Sequence, residues 1–192
     1  MEQIRSFVAI KLPDELKLAL VRLQERLKSE SQAAVKWVDP YSIHLTLKFL
    51  GDIRTDMVSR ITAALEGAAQ GISPFHLEAS GTGVFPNLKR VQVVWVGVSG
   101  EVDRLSQLQQ RVDSCLTSLG FISESRPFTP HITLARLRNQ ATPDERQKLG
   151  QLIASTSFQT AYSIEVDSFH LMRSQLTRQG AIYSRISSIK LE

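Results

Sequence analysis

SIHLTLKFL, residues 42–50, and FTPHITLAR, residues 128–136, share one core: histidine, an apolar residue, threonine, leucine. Each reads as a strand. Side chains on a strand alternate between its two faces. His44 and Thr46 therefore point one way, with Leu45 and Leu47 opposed, and His131 and Thr133 are matched likewise against Ile132 and Leu134. Each strand offers an imidazole and a hydroxyl on one face and anchors in a core through the other. Lys48 shares the parity of His44 and is expected beside it, whereas strict alternation puts Arg136 opposite His131. Four histidines and eleven threonines in 192 residues give about 0.2 His-x-Thr pairs by chance (four times eleven, over 192), and two are present. One pair is a weak signal; two in matched frames are a strong one.

Working outward, the frames themselves match. Residues 4–12 read as a buried strand stopped by Pro13, with Asp14 and Glu15 suited to a helix's first turn. That helix carries Leu16, Ala19, Leu20, Leu23 and Leu27 on one face. The strand at 42–50 follows, then a helix with Thr55 as its expected N-cap and Val58, Ile61, Leu65 and Ala68 facing inward. Residues 75–85 are extended, with Gly81 and Gly83 marking a bend or bulge. The order then recurs: strand 91–98, helix 101–119 closed by Gly120, strand 131–137. A helix opens at Thr142-Pro143-Asp144-Glu145, which has capping-box spacing. Residues 162–172 and 181–191 are extended. Ile10 precedes His44 by 34 positions and Val98 precedes His131 by 33. Strand, helix, histidine strand, helix, strand thus occurs twice. No linker separates the two runs, so one two-lobed body over residues 1–192 is expected.

The composition, 42% hydrophobic and 22% charged, is that of a globular protein, and the net charge of +4 fits a phosphate-bearing partner. The single cysteine, Cys115, excludes an intrachain disulfide and shares a helical face with Leu105, Leu108, Val112 and Leu119, where it reads as a packing residue. No apolar run approaches the roughly 20 residues of a membrane span, and the first residues lack the apolar stretch of a signal peptide. A cytoplasmic monomer with no membrane association is expected.

Paired imidazoles with paired hydroxyls suit phosphoryl transfer. Histidine titrates near neutrality, so one ring takes a proton from water while the other gives one to a leaving oxygen. Threonine hydroxyls hold the non-bridging oxygens. This chemistry calls for no metal or other cofactor. Two rival readings remain at this point: a metal-dependent hydrolase, for which no close ligand cluster is present, and a non-catalytic module that binds RNA ends. His76 and His170 have no threonine two residues on and read as structural.

HLTL at 44–47 and HITL at 131–134 resemble the paired motifs of the two-histidine (2H) phosphoesterases. RSFVAIKLPDEL, KWVDPYSIHLTLKFLGD, GVFPNLKRVQVVWVGV, RPFTPHITLAR and LMRSQLTRQGAIY, in that order, resemble blocks of the RNA 2′,3′-cyclic phosphodiesterases, also called 2′-5′ RNA ligases or LigT-like proteins. The resemblance implies a bilobal α+β fold with pseudo-two-fold symmetry, each lobe an antiparallel sheet backed by helices, and a site in the cleft between the sheets. It implies opening of RNA 2′,3′-cyclic phosphate ends, tRNA fragments among them, to 2′-phosphomonoesters. In some relatives it implies ATP-independent 2′-5′ joining as well. His44 is then the general acid toward O3′ and His131 the general base on water. Thr46, Thr133, Lys48 and Arg136 are candidates for binding the phosphate. Phe49 is expected in the core in preference to a base-stacking position.

Overall fold

A computed structural model describes residues 2–178 and 180–192. Strand β1 (Gln3–Lys11) leads into helix α1 (Asp14–Glu30), which starts directly after Pro13 with acidic residues in its first turn and buries Leu16, Ala19, Leu20, Leu23 and Leu27. Each such leucine, fully buried, contributes roughly 2 kcal/mol. A three-residue strand, β2 (Val35–Trp37), precedes β3 (His44–Arg54) and α2 (Val58–Ala69). Thr55 does not cap α2; it begins a short 3₁₀ turn, Thr55–Met57, that feeds the helix. Strands β4 (Phe75–Phe85) and β5 (Val93–Gly100), helix α3 (Val102–Thr117), strand β6 (His131–Leu137) and helix α4 (Pro143–Ser155) follow. Both reciprocal hydrogen bonds of the expected capping box form between Thr142 and Glu145. The extended run from 162 is two strands, β7 (Tyr162–Val166) and β8 (Ser168–Thr177), and β9 (Gly180–Lys190) ends the fold.

The strands form two antiparallel sheets, ordered β3-β1-β8-β9 and β2-β6-β5-β4-β7. The α+β, two-lobed, pseudo-symmetric plan is therefore present, with β3-β1-β8-β9 matching β6-β5-β4-β7. The lobes are not the two halves of the chain. Strand β4 leaves the first half to pair with β5, and β8 returns to pair with β1. The helices cross over as well. On α1, Gln24 donates to the carbonyls of Val38 and Leu134 behind the second sheet, while on α3 Asp113 binds Lys48 behind the first. Thr62 of α2 meets Ser187 of β9, and Thr82 of β4 donates to Ile153 of α4. One apolar cluster consequently runs behind both sheets. Strands β3 and β6, which carry the two histidines, approach one another where the sheets meet.

Candidate active site

Both histidine strands are bulged at the same place. In the first sheet Ala9 pairs with Thr46 and Val8 with Lys48, so Leu47 is the extra residue; in the second, Trp95 pairs with Thr133 and Val94 with Ala135, so Leu134 is. A bulge inverts the alternation beyond it. His44, Thr46, His131 and Thr133 precede the bulges and lie, partly exposed, on the cleft faces, with Leu45, Leu47, Ile132 and Leu134 buried behind them.

Past the bulge the parity expectations fail. Lys48 turns away from the cleft and is only 7% exposed. Its Nζ donates to Asp113 Oδ1 at 2.5 Å and to the carbonyl of Ile122 at 2.8 Å. Asp113 also accepts from Ser123 Oγ and from the Glu124 backbone N–H. Burial raises the Asp113 pKa, but these hydrogen bonds outweigh it and hold the carboxyl below its usual range. Lys48 thus staples the loop ahead of His131 to α3, and its assignment as a phosphate ligand is withdrawn. Conversely, Arg136 turns onto the cleft face and is exposed. Phe49, its counterpart on β3, is 69% exposed there instead of buried in the core.

The imidazoles are set identically. Nδ1 of His44 lies 2.6 Å from the carbonyl of Ser42, and Nδ1 of His131 lies 2.7 Å from that of Thr129. A carbonyl only accepts, so each Nδ1 carries a proton, and Nε2 is left to take or give one. Aromatic edges steady the rings. Phe7 and Tyr183 lie 5.9 Å and 5.6 Å from His44, and Phe85 lies 4.9 Å from His131. Phe85 packs in turn on Trp95, whose ring lies across Gly83; any Cβ at that position would collide with it. The bend expected near these glycines is a bulge at Gly81, which adopts φ +72.

Burial pushes the His44 pKa down, the Ser42 carbonyl opposes this, and Lys17 and Lys11 lower it further. Burial raises the Tyr183 pKa, while Arg136 from the second sheet and Arg5 from the first lower it. Arg136 thus acts electrostatically on the ring that flanks His44. His170, whose pKa falls to about 4 through burial and then the charges of Arg185, Lys11 and His44, is on the cleft face of β8 beside Ala9. It is 4% exposed. His76 instead sits at the far end of the second sheet, 3.0 Å from Glu165. Phe7, Tyr183, Phe85 and Lys11 lie in the family-like blocks but, with Lys17, were not among the expected site residues; only the assembled sheets bring them to the histidines. Burial likewise raises the Cys115 thiol pKa, as befits a packing residue. Among the described residues no three His, Cys, Asp or Glu side chains converge as metal ligands, and no helix is long and apolar enough to cross a membrane.

The model of the LigT like Phosphoesterase family matches residues 10–95 and 96–183, one match per run of the repeated pattern. The chain is 35% identical over 189 residues to the RNA 2′,3′-cyclic phosphodiesterase of Methanothermobacter thermautotrophicus, covering 98% of this chain and 100% of that one. It is 30% identical to the protein of that name from Aquifex aeolicus, covering 100% and 99%. The crystal structure of E. coli LigT complexed with 3′-AMP superposes with a TM-score of 0.79 at 27% identity, over 99% of both chains.

Proposed function

Since the chain belongs to the LigT-like phosphoesterase family, we propose that it hydrolyses RNA 2′,3′-cyclic phosphate ends to 2′-phosphomonoesters, with His44 and His131 as its acid–base pair. The observation that carries the reading is the matched pair of Nδ1 anchors, which leaves an Nε2 on each histidine strand free for proton transfer. His131 Nε2 takes a proton from water as the water oxygen attacks phosphorus. His44 Nε2–H gives its proton to O3′ as the P–O3′ bond breaks. Thr46, Thr133 and Arg136 hold the non-bridging oxygens, where charge accumulates. ATP-independent 2′-5′ joining is the same displacement with a ribose 5′-hydroxyl in the place of water: His131 takes the hydroxyl proton and His44 again protonates O3′ as the P–O3′ bond breaks. Both histidine strands come from one chain, which supports action as a monomer. Cytoplasmic RNA fragments, those of tRNA among them, are the substrates of this reading.

The test is incubation with 2′,3′-cyclic AMP in EDTA. Full turnover to adenosine 2′-monophosphate is expected. Loss of turnover that added metal restores would replace the acid–base pair with a metal centre, and a 3′-monophosphate would reverse the leaving group.

The two roles are separable by pH. Lys17→Met removes a cation that lowers the His44 pKa, so that pKa rises. An acid loses activity as pH climbs through its pKa, and a base loses it as pH falls through its own. With His44 as acid, the alkaline limb of kcat/KM moves to higher pH and the acidic limb stays in place. Movement of the acidic limb alone would exchange the roles.

A further inference from the structure

The two cleft faces differ in charge. On β1 the register sets Arg5, Phe7, Ala9 and Lys11 on the cleft side, opposite Asp52, Phe49, Thr46 and His44. Beyond them Ser174 and Tyr183 continue the Arg5 row, and Met172 and Arg185 continue the Phe7 row. Arg5, Lys11 and Arg185 are exposed, as is Arg136, which approaches from the other sheet. Among the described residues none of these four lies within ion-pair distance of a carboxylate, although Asp52 is the register neighbour of Arg5. By contrast Arg54, on the same sheet, is neutralised by Asp56. On the second sheet the β4–β7 end carries Glu78 and Glu165 around His76, while the opposite edge strand, β2, sets exposed Lys36 in register with Arg136. A polyanion leaving the histidines therefore meets unpaired cations across the first sheet and carboxylates toward the β4–β7 end of the second. Phe49 adds an exposed ring to the cationic side, a face on which a base stacks.

We propose that the RNA chain leading up to the cyclic phosphate lies on the cleft face of the first sheet, its phosphodiesters against Arg5 and Arg185, so that oligonucleotide ends are preferred to cyclic mononucleotides. The proposal rests on the hydrolytic reading above and adds to it a path and a direction for the RNA chain. Opening one cyclic phosphate needs only the histidines, threonines and Arg136; cations on the adjacent strand at Arg5 and three strands away at Arg185 serve a longer chain. Each phosphate neutralised on a single strand releases counterions, giving a salt dependence of about −0.7 in log K per contact.

The experiment compares kcat/KM for 2′,3′-cyclic AMP and for a short oligoribonucleotide ending in a 2′,3′-cyclic phosphate, at low and high salt, alongside fluorescence-polarisation binding of the labelled oligonucleotide. The oligonucleotide should be favoured about tenfold or more at low salt, with the advantage shrinking as salt rises. Arg5→Gln/Arg185→Gln should lower the ratio of the two kcat/KM values about tenfold, weaken oligonucleotide binding and flatten its salt slope by about 1.4, two contacts' worth. Glu78→Gln/Glu165→Gln should change none of these. Equal use of both substrates by the parent at every salt concentration overturns the proposal while sparing the hydrolytic reading. So does an unchanged ratio in the arginine variant, or tighter oligonucleotide binding in the glutamine variant of the second sheet. A parent that turns over neither substrate overturns the hydrolytic reading, and the polarisation arm then decides the RNA path alone.

Discussion

His44→Ala and His131→Ala should each lower kcat/KM for a 2′,3′-cyclic phosphate by about 10³-fold, within the range of one general acid or base. The two groups act on one displacement, so the double variant should lose little more than either single one. Both rings are partly exposed on the cleft faces and packed only edge-on against Phe7, Tyr183 or Phe85. Thermal stability should consequently stay close to that of the parent. A binding module would behave differently: its RNA affinity would survive both substitutions, and the parent would show no turnover to lose. Retention of parental turnover by either single variant, measured on folded protein, would remove that histidine from the mechanism.

Lys48→Met separates the two roles considered for this lysine. A phosphate ligand would show as a raised KM with stability unchanged. The staple seen here predicts the reverse. Removing Nζ leaves Asp113 facing a largely buried site with Ser123 and the Glu124 N–H as its remaining donors. Breaking a buried pair from one side costs about 3–5 kcal/mol. Asp113 keeps some solvent contact and two other hydrogen bonds, so about 2–3 kcal/mol is expected here. Chemical denaturation reads this directly. Hydrogen exchange should accelerate at 121–124, the loop held by Asp113. Lys48→Met/Asp113→Leu should recover part of the loss, because no unpaired carboxylate is left behind. A Lys48→Met protein of parental stability with a tenfold higher KM would return Lys48 to the phosphate.

Much of this fold was legible as pattern. Apolar residues at helical spacing marked α1 and α3, and Thr142 through Glu145 announced the start of α4 by a local, reciprocal hydrogen-bond pair that depends on nothing distant. The histidine strands were legible because imidazole and hydroxyl repeat in one frame. Strand β2 escaped because three residues carry no period; it exists as an edge partner of β6. Asp167 divides the run from 162 into β7, which pairs with β4, and β8, which pairs with β1, so the break follows from a change of partner sheet. Arg136 and Lys48 exchanged expected faces for a related reason. A bulge is a property of two strands in register, and Leu47 is no different in composition from a leucine that pairs normally.

By itself the sequence determined most of the elements, their buried faces up to the bulges and the duplicated histidine frames, because backbone propensity and burial act over a few neighbouring residues. Only the tertiary structure decided which elements share a lobe. Strands β4 and β8 join the sheets of the opposite halves, and α1 and α3 cross behind them. Backbone hydrogen-bonding edges and apolar stripes are alike from one strand or helix to the next, so composition names no partner. Pairing then set the bulges, and the bulges put Arg136 and Phe49 in the cleft and Lys48 behind it.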